Sequence, residues 1–414
     1  MNTFVFDNGL RVILAPSETN VVYAGIAVAT GTRHELDTES GMAHLVEHMS
    51  FKGTARLSSV QILNRMESVG GDLNAYTGKE ETVYYATFLR PHLKRAIPLL
   101  FDIVFSSTFP QAELDKEVEV VIDEIESYND TPSDLIFDDF EGLLFPNHPL
   151  GRKILGNAER LRQYRTADLQ RFVSRCYTPD RAVLFVKGNV SEEDIRSLIP
   201  RLPLERERGS ICLFGVEDGK VTTPPLLLEK GAGGETCISK HTHQAHVMLG
   251  SRAYAANDPR RMGLYLLNNI LGGPAMNSRL SLALRERTGL VYAVESNYTA
   301  YSDTGVWATY FGCDHADVRR CLRLVNRELQ RLVERPLSSR MLAIAKRQLK
   351  GQMGIAYDNS ENVALSMAKR FLHEGRVPTL EEMYQQIDDL SPEALQTIAE
   401  EHFAPDRLVT LIYQ

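Results

Sequence analysis

The chain repeats itself, weakly but in order, and this restricts the folds open to it more than any other feature. Ala27-Val28-Ala29-Thr30-Gly31-Thr32-Arg33 is echoed by Val247-Met248-Leu249-Gly250-Ser251-Arg252. Thr82-Val83-Tyr84-Tyr85-Ala86-Thr87-Phe88 is echoed by Thr304-Gly305-Val306-Trp307-Ala308-Thr309-Tyr310. Between them, a helical pattern over 42–49 is matched by another over 262–270. Three echoes in one order point to a duplicated unit of about 200 residues. The 414 residues hold two such units, each large enough for its own core.

Within the first copy, strand and helix periods alternate. Residues 3–6 and 10–14 flank Asp7-Asn8-Gly9, which predicts a hairpin on a type I′ Asn-Gly turn. Residues 21–30 read as a buried strand. A helical period then sets in, with Met42, Leu45, Val46 and Met49 on one side and Ser40 expected as its cap. A second helix over 60–69 is expected to close at Gly70-Gly71. Strands at 72–77 and 82–89 follow, then helices at 93–106, 111–129 and 166–176, a strand at 181–188 and a helix from 192. The predicted class is α+β, with helices packed on a mainly antiparallel sheet, twice over. Between about 202 and 240 the period fails and Gly, Pro, Glu and Lys dominate. The expected division is a first domain at 1–204, a linker at 205–235 and a homologous second domain at 236–414.

Charge and composition exclude several classes. Lys plus Arg is 46 against 54 Asp plus Glu, a net charge of −8, which disfavours nucleic acid as a partner. No window approaches the ~18 apolar residues of a membrane span. The opening Met1-Asn2-Thr3-Phe4-Val5-Phe6 lacks the basic and apolar regions of a signal peptide, so a cytoplasmic protein is expected. The five cysteines, Cys176, Cys212, Cys237, Cys313 and Cys321, are odd in number and never spaced CxxC. They read as reduced thiols.

The halves differ in chemistry at the repeated helix. The first carries His44-Leu45-Val46-Glu47-His48, whereas the second has roughly Tyr265, Asn268 and Asn269. Residues four apart on a helix stack one above the other, so His44 and His48 can turn imidazole nitrogens toward one ion. Glu47 borders that face, within reach of water there, in the inverted form of the HExxH zinc pattern. A catalytic zinc site needs a third protein ligand. The acidic helix over 111–129 is the candidate, because Glu117 and Glu124 lie seven apart and share a face beside Val118, Val121 and Ile122. A solvated acidic surface has the same composition. His241-Thr242-His243-Gln244-Ala245-His246 is a weaker metal candidate, since alternation on a strand turns His246 away from His241 and His243.

The run His44-Leu45-Val46-Glu47-His48-Met49-Ser50-Phe51-Lys52-Gly53-Thr54 resembles the active-site helix of the pitrilysin-type inverzincin metallopeptidases, nearest the mitochondrial-processing-peptidase branch and its bacterial relatives. The likeness continues through Leu73-Asn74-Ala75-Tyr76-Thr77, Gly151-Arg152-Lys153-Ile154-Leu155-Gly156, Tyr177-Thr178-Pro179-Asp180, and Leu284-Arg285-Glu286-Arg287-Thr288-Gly289-Leu290-Val291-Tyr292.

That resemblance implies a zinc endopeptidase. One Zn²⁺ per chain would be held by His44, His48 and Glu124, which falls 76 residues after His48. Glu47 would be the base, and Glu117 would support a ligating His. It also implies that Asn74, Ala75 and Phe51 contact an extended peptide substrate paired with an edge strand, and that Arg285 and Tyr292 bind substrate from the second domain. Family members of this length form half of a clamshell chamber, so a homodimer is expected. Two rival readings remain: a non-catalytic subunit of the same fold, and a maturation protease for one partner peptide.

Overall fold

The strand-forming runs of the first half assemble into a six-stranded sheet. Its members are β1 (Asn2–Val5), β2 (Arg11–Pro16), β3 (Val21–Val28), β4 (Asp72–Thr77), β5 (Thr82–Leu89) and β6 (Ala182–Gly188). They lie in the order β1-β2-β6-β3-β5-β4, with every pair antiparallel except β2 with β6. The computed structural model describes residues 1–199, 216–217, 220–221, 234–240 and 242–414, so nearly all of the expected linker and Cys212 lie outside the described residues.

A second sheet of five strands repeats this plan. From one edge it runs Val291–Ala300, Gly305–Cys313, Ala245–Ala253, Val409–Tyr413 and Glu235–Ile238. Only the last pair is parallel. This is the sequence β4-β5-β3-β6-β2 step for step, so the duplication is structural. One echo is out of register. Val28 at the end of β3 faces Thr82, and Ala253 faces Gly305. The end of β3 therefore corresponds to Ala253, further along than the sequence echo places it.

The described chain packs as two units that do not follow the halves strictly. The first holds Met1–Ser127, 148–199 and Ala356–Val377; the second holds Tyr128–Asn147, the described residues from 216 to 355, and Pro378–Gln414. Strand alternation explains the first exchange. In β2, Val12 and Leu14 face one core while Ile13 and Ala15 face another, and β6 divides in the same way, Leu184 and Val186 against Val183 and Phe185. Both faces are apolar, so both need cover. One is covered by α1 (Met42–Ser50), α2 (Ser59–Glu67), α3 (Leu93–Phe105) and α4 (Gln111–Asn129). The other is covered by helix Ser360–Glu374, through Ala364, Met367, Ala368 and Phe371. Glu81 anchors this helix, with Lys369 Nζ at 2.7 Å and His373 Nε2 at 3.0 Å. In return, α5 (Pro132–Leu144) belongs to the second unit, where Tyr413 donates to Asp139 at 2.6 Å and Arg252 to the Leu144 carbonyl at 2.8 Å.

Two local expectations are corrected. The first hairpin is a three-residue loop: Phe6 N–H donates to Leu10 O, Gly9 N–H donates to Phe6 O, and only Gly9 takes a positive φ, of 90°. Asn8 does not, so the turn is not type I′. Gly41, at φ 77°, precedes α1 in place of Ser40. The orphan N–H groups of Gly41 and Ala43 donate instead to the buried carboxylate of Glu35, at 3.3 and 2.9 Å. By contrast α2 has the expected closure, with Gly70 at φ 70°. Among the described residues, no helix is long and apolar enough to cross a membrane, and none of Cys176, Cys237, Cys313 and Cys321 forms a disulfide.

Candidate metal centre

Helix α1 is held on its apolar side by Met42, Leu45, Val46 and Met49, all fully buried. That fixes the rotation of the helix and turns His44, Glu47 and His48 to one flank. Helix α4 is held in the same way by Leu114, Val118, Val121 and Ile122, and presents Glu117 and Glu124 two turns apart. The two helices bring one nitrogen each from His44 and His48 and one oxygen of Glu124 within 4.8 Å of one another. Both Nε2 atoms face the same Glu124 oxygen, at 3.8 Å from His44 and 3.6 Å from His48. The imidazole centroids are 4.5 Å apart. No other such group of three or more occurs among the described residues.

The donor set fits a zinc ion in number and type: two imidazoles and one carboxylate. Protonation agrees with this. Burial, with the neighbouring His48, pushes His44 down to about 3, so it is neutral near pH 7 and offers a lone pair. Its Nδ1 is buried without a partner among the described residues, so the ring's polar contacts are all on the Nε2 side. His48 is different. Burial alone would lower its pKa, but the hydrogen bond to Glu117 and the carboxylates of Glu47, Glu117 and Glu124 outweigh burial and raise it.

Three surrounding contacts complete the geometry. His48 Nδ1 lies 3.0 Å from Glu117 Oε1, which leaves Nε2 to face Glu124. Lys52 Nζ lies 2.6 Å from the other Glu117 oxygen. Thr77, at the end of β4, donates its hydroxyl hydrogen to Glu47 Oε2 at 2.6 Å. Burial raises the Glu47 pKa, and the Thr77 hydrogen bond and His48 only partly oppose this. Lys52 and Thr77 had not been singled out from sequence. Lys52 follows His48 by one helical turn and could have been found by spacing, but Thr77 is brought in only by the tertiary position of β4.

The remaining expected residues are distributed as follows. Asn74 and Ala75 lie on β4, which among the described residues is an edge strand paired only with β5, opposite Tyr85 and Tyr84. Asn74 Oδ1 accepts from the Ala75 N–H at 3.0 Å. Phe51 closes α1 and packs its ring 6.1 Å from that of Tyr84. Arg285 and Tyr292 belong to the second unit. Arg285 lies in the short π-helical turn Ser281–Glu286 and donates to Glu286 at 2.8 Å. Tyr292 is 91% exposed, beside a register shift between Val291 and Val294 in the edge strand. The second unit's counterpart of α1, Arg261–Gly272, uses its polar residues for structure: Asn268 accepts from Trp307 Nε1 at 3.1 Å and donates to Ser296 O at 3.0 Å. His246 Nδ1 is engaged with the Tyr310 hydroxyl at 2.8 Å, and His241 lies outside the described residues.

The chain belongs to the M16 family of peptidases. Residues 11–158 match the family pattern described as Insulinase (Peptidase family M16), and residues 165–349 match that of the Peptidase M16 inactive domain. Over 410 residues the chain is 33% identical to a Bacillus subtilis protein named uncharacterized zinc protease YmxG, covering 99% of this chain and 97% of that one. An uncharacterized zinc protease of Rickettsia felis is 30% identical over 398 residues, covering 96% and 93%. Among solved structures, a protease from Helicobacter pylori has the same fold, with a TM-score of 0.88 at 22% identity over 100% of this chain and 99% of the other.

Proposed function

We propose that the chain is a zinc-dependent endopeptidase that hydrolyses extended peptides or short unfolded segments. The observation that carries this reading is the convergence of His44, His48 and Glu124, with Glu47 on the same flank of α1. His44 Nε2, His48 Nε2 and a Glu124 oxygen would hold one Zn²⁺ per chain. When bound, the ion supplies Lewis acidity toward a peptide carbonyl and toward water.

The protein's own groups supply the rest. Glu47 Oε2 is occupied by the Thr77 hydroxyl, so Oε1 is the atom that takes the proton from the attacking water and returns it to the leaving amine. Its raised pKa suits that exchange better than an ordinary carboxylate would. Glu117 holds His48 in one orientation through Nδ1. An extended substrate pairs with the open edge of β4 at Asn74 and Ala75, and Phe51, at the end of α1, is a further contact. Arg285 and Tyr292 contribute a cation and a phenol to substrate binding. The working form is a homodimer in the cytoplasm.

Peptide-library cleavage and metal content, measured on wild type and Glu47→Gln, test the assignment. The expected variant keeps about one zinc per chain and loses cleavage by about three orders of magnitude or more. A wild type that binds no zinc, or a variant that still cuts, overturns it. Sedimentation tests the dimer, and a fully active monomer refutes that part alone.

A further inference from the structure

The second unit contains a cavity of about 1030 Å³ whose charge is opposite to that of the whole molecule. Six arginines line it, Arg279, Arg287, Arg323, Arg327, Arg331 and Arg335, against two glutamates, Glu328 and Glu334. No lysine and no aromatic residue is among the described lining. The chain overall is acidic, with a net charge of −8, so such a concentration of one cation type is a local feature with a local cause.

Three of the arginines form a ladder. Arg323, Arg327 and Arg331 follow one another at single turns of helix Val318–Glu334, and Arg335 stands just past its end. Like charges four apart oppose a helix. The helix dipole favours cations only in the last turn, which accounts for Arg331 and Arg335 but not for Arg323 and Arg327. Internal pairing does not account for them either. Glu328, almost fully buried, sits 2.7 Å from Arg331 and 3.9 Å from Arg327, and Glu334 accepts from Gln330 at 2.8 Å. Arg279, Arg287, Arg323 and Arg335 make no ion pair with a described residue. Arg279 is half-buried, and burial lowers its pKa despite the nearby Glu328. A partly desolvated guanidinium without a paired carboxylate is costly unless an anion completes it. The rim adds the start of the 20-residue helix Ser339–Asp358, through Ser338 and Met341, and the first turn of that helix has no acidic residue. Its amides and dipole favour negative charge at the same place.

We propose that this cavity binds a compact polyphosphate: an inorganic polyphosphate or the phosphate chain of a nucleoside triphosphate. Planar guanidinium forks match phosphate oxygens in pairs, which is the usual reason for arginine in place of lysine. The size is at the upper end for a small-molecule pocket. The lack of an aromatic side chain leaves no platform on which a base could stack, so recognition rests on the phosphates and is indifferent to the nucleoside. The inference stands apart from the proposed peptidase activity and does not depend on it.

Binding of inorganic tripolyphosphate, ATP, sulfate and an oligoglutamate of equal charge to the full chain, by calorimetry at matched ionic strength, tests this. Cleavage is not the readout, because polyphosphates chelate divalent cations. Tripolyphosphate and ATP are expected to bind within about threefold of each other and far more tightly than sulfate, weakening as salt rises. Arg323→Gln with Arg327→Gln is expected to weaken both by about tenfold or more. The pair is exposed on the helix surface and leaves His44, His48 and Glu124 intact, so any heat from chelation persists in the variant. Should the double variant misfold by circular dichroism, Arg287→Gln with Arg335→Gln takes its place with the same expectation. The proposal is overturned by tripolyphosphate binding no better than sulfate, by folded variants that bind as wild type does, by tighter binding of oligoglutamate, or by ATP binding where tripolyphosphate does not.

Discussion

Replacing Glu117 with alanine should separate support of the proposed metal ligands from ligation itself. The change removes the acceptor 3.0 Å from His48 Nδ1 and strands Lys52, whose Nζ lies 2.6 Å from the other carboxylate oxygen. A charge-assisted hydrogen bond of this kind contributes about 1.5–3 kcal/mol net. At about 1.4 kcal/mol per decade, that is a loss of roughly 10- to 100-fold in zinc affinity. The pH dependence has a definite sign. Glu117 is one of the groups that raise the His48 pKa, so at the proposed site zinc would compete with a proton on wild-type His48 as pH falls. The variant lowers that pKa and suffers less from this competition. The affinity deficit is therefore largest near about pH 8 and shrinks toward about pH 6. Competition against a chromophoric chelator at several pH values measures it, with circular dichroism as the control for folding. Glu117→Gln, which keeps an acceptor but not the charge, should fall between the two. A deficit below about threefold at the alkaline end, or one independent of pH, refutes the reasoning.

Thr77→Val should raise the Glu47 pKa further, since the hydroxyl opposes the effect of burial. The acidic limb of the kcat/KM profile then moves to higher pH, with about a tenfold loss near pH 6 and unchanged zinc content; superposable profiles would exclude a role for Thr77. Burial would raise the pKa of Glu81, but His373 and Lys369 hold it down at about 2, below the usual value of 4.5. A depressed carboxylate stabilises the fold above its unfolded pKa, and that contribution disappears as pH falls from about 4.5 toward 2. It amounts to at most about 3 kcal/mol. Urea melts at about pH 6 and pH 3 should show a smaller acid loss in Glu81→Gln than in wild type, and equal losses would count against the anchor. Asn268→Ala leaves the buried Trp307 indole N–H without an acceptor and should cost about 1–3 kcal/mol. Trp307 is the sole tryptophan, so its fluorescence in a urea titration reads that unit directly, and an unshifted midpoint refutes the assignment.

What could be read from sequence was whatever has short-range periodicity. His44 and His48 are one turn apart and Glu117 and Glu124 two, so each pair was expected to share a helix face, and apolar neighbours fixed which way each face turns. The strand alternation and the repeat were visible for the same reason, although the echo of β3 was misaligned because apolar strands tolerate sliding in sequence comparison. Long-range features had no such signal. Glu35 caps α1 from a preceding loop and displaces the local Ser40 in that role. Thr77 reaches Glu47 only because β4 pairs with β5 at the sheet edge. The exchange of α5 and helix Ser360–Glu374 depends on which sheet faces remain uncovered, and that is known only once the sheets are assembled.

The second of those helices gives synthesis an order. Sheet strands β1–β6 are all made by residue 188, yet among the described residues the face formed by Ile13, Ala15, Val83, Val183 and Phe185 is covered only when residues 360–374 emerge. At roughly 5–20 residues per second, that face waits on the order of ten to thirty seconds on the ribosome. The first unit therefore cannot finish folding first, whatever its position in the chain. During that interval it presents the kind of bare apolar sheet that chaperones bind and that neighbouring nascent chains can join. A fragment that stops at 204 keeps this face bare permanently, and so should aggregate even though it contains His44, His48 and Glu124.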